Sequence, residues 1–154
     1  MSLEDLFRKK GMIMDVGKAM AQLKQTADQF GLPFGDRRMT YNSRLAQELG
    51  LWAQAEGRGH EFHSHAFKVY FVEGRNLARR EVLLDMAEKV GLDRSQAGTV
   101  LDKRLFKSAV DRDWEEARAR EIMAVPTFYM GPDRLVGAQP YEALEIMVKK
   151  HLPE

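Results

Sequence analysis

Apolar residues recur at helical spacing through most of the chain and at strand spacing only near its end. Val16, Met20, Leu23, Ala27 and Phe30 stand three and four apart, which predicts one amphipathic helix over residues 15–30 with Gly31 as a left-handed cap. A shorter helix over residues 2–10 precedes it, capped by Ser2, with Asp5 where a carboxylate favours the helix N-terminus and Gly11 at its end. Leu45, Leu49 and Trp52 share a face of a helix capped by Asn42 or Ser43 and closed by Gly57. After Gly59, the residues Phe62, Ala66, Phe67, Tyr70 and Phe71 form the most aromatic face in the chain, ending at Gly74. Helical spacing favours a core seam there over a ligand groove.

Three more helices follow in the pattern. Residues 79–90 turn Val82, Leu83, Met86 and Val90 inward, with Gly91 capping. Asp93-Arg94-Ser95-Gln96 reads as a capping box opening a helix that carries Ala97, Val100, Leu101 and Leu105 on its inner side. Residues 108–120 place Val110, Trp114 and Ala117 together. The pairs Arg79-Arg80 and Lys103-Arg104 flank Glu81 and Asp102, a mixed-sign arrangement expected of a water-facing surface. The period then changes. Pro126 cannot donate to a ladder, so it belongs at the start of a strand, expected over residues 127–130. Gly131-Pro132-Asp133 supplies turn chemistry, residues 134–137 a second strand, and Pro140 the first position of a closing helix. The domain reading is a helical region over residues 1–121 followed by a β-β-α segment over residues 122–154.

Composition narrows the chemistry more than the fold. A length of 154 residues with ordinary apolar and charged fractions supports a buried core, as one domain or one with a small appendage. A net charge of +1 gives no case for nucleic acid or an anionic membrane as partner. There is no apolar run long enough to cross a bilayer and no signal-peptide pattern, so the expected compartment is cytoplasmic. The chain contains no cysteine, which excludes disulfides, thiolate metal sites and any thiol mechanism carried out by this chain alone.

Other candidates are weak. Leu32, Pro33 and Phe34 are expected to pack locally in a loop whose Arg37-Arg38 pair is a solvated connector in preference to an anion site. His60, His63 and His65 miss the zinc-protease spacing by one position. His60 with His63, or Glu61 with His65, share a face but lack a third ligand. No acid–base pair, phosphate loop or nucleophile elbow is present, and no metal or cofactor is expected.

Ala124-Val125-Pro126-Thr127-Phe128, followed by Leu135-Val136-Gly137-Ala138-Gln139-Pro140-Tyr141-Glu142-Ala143-Leu144-Glu145, resembles the C-terminal part of DsbA-like thioredoxin-fold proteins, specifically the FrnE-like branch. The helical stretch resembles that family's inserted helical domain, so the likeness covers nearly the whole chain. The resemblance implies an α/β fold by family that is mostly helical in this chain: a helical insertion domain plus the C-terminal β-β-α portion of a thioredoxin-like fold. It implies that a first strand, a Cys-x-x-Cys helix and a second strand should precede Leu3. It implies a cis bond before Pro126, and a substrate contact at Val125 and Pro126 in which the backbone beside the proline pairs with an extended peptide. The family usually carries glycine near Glu121 and often another near Ala124, and this sequence departs at both.

Three functions follow as expectations. The first is a protein-disulfide oxidoreductase or isomerase by family, redox-inactive in this chain for want of cysteine. The second is a non-catalytic peptide-binding or self-associating module. The third is part of a glutathione-dependent enzyme resembling 2-hydroxychromene-2-carboxylate isomerase; the Gly137-Ala138-Gln139-Pro140 segment leans away from it, toward the FrnE-like branch. The expected partners are an extended peptide or protein substrate and a second copy of the chain, met through an exposed strand edge or apolar surface, because a bare two-stranded hairpin is marginal in water.

Overall fold

Side-chain caps set the starts of the helices. The computed structural model describes residues 1–12 and 14–152. Helix α1 (Leu3–Lys9) begins where Ser2 Oγ accepts from the Asp5 N–H at 3.0 Å, and α2 (Val16–Gln29) where Asp15 Oδ1 accepts from the Lys18 N–H at 3.0 Å. Ser43 occupies the N-cap of α3 (Arg44–Ala55), yet the bond comes from Asn42, whose Oδ1 accepts from the Arg44 N–H at 2.8 Å. Helix α4 (Gly59–Phe67) runs on without a break into one π-helical turn, Lys68–Val72, before Gly74 at φ +65° ends it. Then come α5 (Arg80–Lys89) and α6 (Arg94–Asp102), the latter opened by Asp93 accepting from the Gln96 N–H at 2.7 Å. They are followed by α7 (Lys107–Ala119), strands β1 (Thr127–Met130) and β2 (Asp133–Val136), and α8 (Tyr141–His151).

The chain divides into two compact units, Met1–Val110 and Asp111–Glu154. The first is helical. Its core lies among α3, α4, α5 and α6, where Leu49, Phe62, Val69, Leu83, Met86 and Ala97 are buried. Each large apolar side chain removed from water there contributes about 1.5–3 kcal/mol. Helix α2 adds little to that core. Its periodic face is real, but no residue of α2 is buried, and Leu23 and Phe30 are exposed. Leu105, expected inward, is exposed as well, because Arg104 takes a left-handed conformation at φ +51° and turns the chain out of α6.

In the second unit β1 and β2 form an antiparallel hairpin in the register Thr127↔Val136, Phe128↔Leu135, Tyr129↔Arg134 and Met130↔Asp133. A two-residue turn joins them, with Gly131 at φ +55°, a backbone conformation that glycine adopts without a side-chain penalty. The second strand starts one residue earlier than the turn chemistry implied, and Pro140 is the N-cap of α8 instead of its first helical residue. Helix α8 packs on β1 and buries Met147. Trp114, expected inward on α7, is exposed. The Val125–Pro126 peptide bond is cis, and Glu121, where the resemblance led one to expect glycine, stands at φ +54°. No helix among the described residues is long and apolar enough to cross a membrane.

Candidate functional site

In the second unit the segment before β1 is held on both sides and left open at its centre. Thr127 Oγ1 donates to the Ala124 carbonyl at 2.6 Å, and Arg134 Nη1 donates to the Glu121 carbonyl at 3.1 Å. The Gly137 N–H donates to the Pro126 carbonyl at 2.8 Å, which extends the hairpin ladder past the strand ends. Between these anchors Val125 is 89% exposed, and its backbone N–H and C=O bond to no other described residue. An exposed, unpaired N–H and C=O on extended chain are what a peptide strand uses to add itself to an edge. Pro126, beside it, has no N–H to offer.

The far end of the hairpin is clamped. Asp133 Oδ2 lies 2.8 Å from Lys150 Nζ and 2.6 Å from His151 Nε2, both from the last turn of α8. The bond from Lys150, and then that from His151, holds the Asp133 carboxyl below the usual carboxylate range. The Arg120 guanidinium sits 5.4 Å from the centre of the Tyr129 ring. No thiol lies anywhere in this unit, since the chain has no cysteine.

The first unit offers a different kind of site. Only part of the aromatic face of α4 and its π-turn enters the core: Phe62 and Val69 do, while Phe67 is 64% exposed. Phe67 and the loop residue Phe34 both stack on Phe71, with ring centres 6.1 Å and 6.2 Å away, and Tyr70 meets Phe71 edge-on at 4.9 Å. Phe67, Tyr70 and Phe71, but not Phe34, wall a cavity of about 450 Å³ that Ala46 and Leu77 also line, with Ser43 and His63 among its polar groups. The face expected to be a core seam is therefore divided between core and cavity wall.

Arg37 is no solvated connector. Its Nη1 donates to the Tyr70 hydroxyl at 2.7 Å and to the Met39 carbonyl at 3.1 Å, and its guanidinium lies 4.6 Å over the Tyr70 ring. Arg38 is exposed, 3.5 Å from Asp36. His60 and His63 are exposed; His65 is partly buried, and that burial pushes its imidazole below the ordinary histidine value. Among the described residues no group of three His, Asp or Glu side chains could hold a metal ion.

Sequence reasoning missed Glu48. It is 1% exposed, on the core side of α3, and three charged bonds surround it: Arg44 Nε at 2.7 Å, Arg104 Nε at 2.6 Å and Arg104 Nη2 at 2.6 Å. The bond from Arg104 lowers its carboxyl below the usual range, burial acts the other way, and the bond from Arg44 lowers it further. This triad ties α3 to the turn after α6, so Arg104 belongs to the interior in function although half of a basic pair in sequence. The signal that was available is Arg44, four residues before Glu48 on the same helix. A second network is superficial: Arg80 holds Asp102 with two bonds of 2.9 Å, and Arg75 and Arg94 each reach Asp85 at 2.8 Å.

Residues 7–149 match the family model of the DSBA-like thioredoxin domain. Over 105 residues, 66% of this chain, the sequence is 32% identical to the uncharacterised Bacillus subtilis (strain 168) protein YwbO. The match covers 51% of that protein, so the chain spans about half the length of this curated relative. Among solved structures, 2-hydroxychromene-2-carboxylate isomerase is similar with a TM-score of 0.76 at 20% identity, over 96% of this chain and 76% of that one. A Nitrosomonas europaea protein assigned provisionally as a protein disulfide isomerase is similar with a TM-score of 0.69 at 16% identity, over 87% of this chain and 72% of that one. At these identities the two structures speak for the fold alone.

Proposed function

We propose a function from one premise, that this chain belongs to the DSBA-like thioredoxin domain family. It is the substrate-holding portion of a protein-disulfide oxidoreductase or isomerase of the FrnE-like kind, and Val125 and Pro126 receive an extended peptide. The observation that carries the reading is Val125, 89% exposed and with both backbone polar groups unpaired among the described residues, immediately ahead of a strand. Attack on a disulfide requires a thiolate, and a chain without cysteine has none to give. The chemistry therefore waits on a thiol from outside these 154 residues, and the proposed compartment is the cytoplasm.

The test uses reduced, alkylated insulin B chain as the peptide. Amide shifts in two-dimensional NMR should concentrate at Val125 and Thr127, and in an insulin-reduction assay with dithiothreitol the chain should add nothing to the buffer rate. Turnover above buffer, or shifts spread evenly over the helical unit, would sink the proposal. A second reading, part of a glutathione-dependent isomerase resembling 2-hydroxychromene-2-carboxylate isomerase, draws support from the aromatic-walled cavity of about 450 Å³, a volume suited to a small molecule. Shifts at Phe67 and Tyr70 on adding glutathione and an aromatic carboxylate, with none at Val125 on adding peptide, would favour it.

A further inference from the structure

The cavity of the first unit is walled by residues between 40 and 77 alone. Four rings follow one another along that wall. Tyr41 and Tyr70 meet edge-on with centres 6.5 Å apart, Tyr70 and Phe71 meet edge-on at 4.9 Å, and Phe71 and Phe67 stack at 6.1 Å. Edges and faces in one strip suit a flat aromatic ligand, which gains from ring geometry as well as from buried area. Charge is missing from the lining. No Asp, Glu, Lys or Arg borders the cavity, and its polar groups are hydroxyls, the Gln47 amide and the His63 imidazole. Arg37 comes near, 4.6 Å and 5.4 Å from the ring centres of Tyr70 and Phe71, yet it does not line the cavity. Its Nη1 is engaged by the Tyr70 hydroxyl and the Met39 carbonyl. A carboxylate taken in here would leave water with no cation to meet it, which is costly. A neutral donor is present instead. Tyr70 Oη and Thr40 Oγ1, 3.3 Å apart, have two hydroxyl protons and one bond between them, and Arg37 accepts neither. One proton is therefore left to give, whichever of the two donates.

We propose that this cavity binds an uncharged, planar aromatic molecule bearing a carbonyl oxygen, and that it discriminates against the carboxylate of the same outline. The inference rests on the cavity of the second reading above and narrows its ligand; it is independent of the peptide reading at Val125. Phe67, Tyr70 and Phe71 take the faces and edges of the ligand rings, and the Thr40 and Tyr70 hydroxyl pair takes the carbonyl. Phe67, 64% exposed, is the part of the wall that gains most by being covered. Selection follows from solvation: a neutral ketone gives up little water on entry, whereas a carboxylate gives up its hydration and finds only neutral donors in return.

The probes are 2-acetylnaphthalene and 2-naphthoate, nearly equal in outline and different in charge. Each is titrated into the full chain at neutral pH and followed by two-dimensional NMR. The ketone should bind about tenfold or more tightly than the carboxylate, with amide shifts gathered at residues 40–47 and 66–71. Phe67→Ala takes an exposed ring from the wall and should weaken the ketone about threefold to tenfold. Circular dichroism establishes that this variant is folded before it is compared. The carboxylate bound as tightly as the ketone, no binding of the ketone up to its solubility, shifts scattered beyond the cavity, or a ketone affinity unchanged by Phe67→Ala would each overturn the proposal. Equal binding of the carboxylate overturns the inference and leaves the second reading standing. Failure of both compounds removes the cavity as a ligand site and that reading with it.

Discussion

Replacing Glu48 by alanine removes the one charged side chain buried among the described residues and takes a carboxylate from two guanidinium groups. Their fates differ. The Arg104 side chain is 40% exposed and can turn to water, whereas that of Arg44 is 15% exposed and held in place by the bond from its Nη2 to the Lys107 carbonyl at 2.8 Å, so it cannot follow. Losing one partner of a buried ion pair costs about 3–5 kcal/mol. For a chain of this size each kcal/mol moves the midpoint by about 2–4 °C, so Glu48→Ala should melt roughly 10 °C early. Trp52 is buried on the same helix and makes fluorescence in urea the natural assay. Glu48→Gln should fare little better, because its amide nitrogen presents donors to donors. The carboxyl of Glu48 is lowered in the folded chain, so its contribution is complete above the unfolded carboxylate pKa of about 4.3 and is lost as pH falls through the lower folded value. The gap between the parent chain and Glu48→Ala should therefore close in acid. A loss below about 1 kcal/mol at neutral pH, the range of an exposed pair, would refute the account of Glu48 as a buried anchor.

Three further outcomes follow from geometry already described. Glu121 stands at φ +54°, and Glu121→Gly should stabilise by up to about 1 kcal/mol in urea unfolding. Arg104→Gly, at a similar φ, should destabilise, because the bonds to Glu48 are lost with the side chain. A Cβ on Gly35 would stand 2.0 Å from the Val72 carbonyl oxygen, so Gly35→Ala should cost about 1–3 kcal/mol and broaden the NMR signals of residues 34–41. Asp133→Asn releases Lys150 and His151 and should speed amide exchange in the hairpin turn at neutral pH. The parent chain should show the same loosening as acid protonates Asp133, whose folded pKa lies below the unfolded one, so its contribution is complete above the unfolded value and is lost as pH falls through the lower folded value.

Local signals in the sequence were enough wherever a structural choice is made by neighbours along the chain. Ser2 and Asp93 each cap the helix they were expected to cap, the helix expected from residue 15 starts one residue later with Asp15 as its cap, and β1 has the bounds that Pro126 and Gly131 impose. The errors of one residue at β2 and Pro140 lie at element ends, where a single bond decides the boundary. What stayed hidden depends on residues distant in sequence. Phe67 and Phe71 carry the same helical spacing as Phe62, and what separates wall from core is the loop that brings Phe34 and Arg37 against one side. Glu48 gave no sign of burial in its own helix, since its second partner lies 56 positions away. Val125 stood out as a candidate only through the motif around it. Its unpaired backbone became visible only with the hairpin register.

The π-turn after α4 has a bearing on how this chain tolerates change. The wider turn sends the Glu73 N–H to the Lys68 carbonyl, while the Phe71 carbonyl accepts from the Gly35 N–H at 2.9 Å. Surface connectors ordinarily absorb insertions cheaply. This one is stitched to a helix by its backbone at Gly35 and by a stacked guanidinium two residues later, so its length is fixed. A single added residue between those two points would undo one attachment or the other, and deletions or insertions in relatives should cluster on either side of the pair.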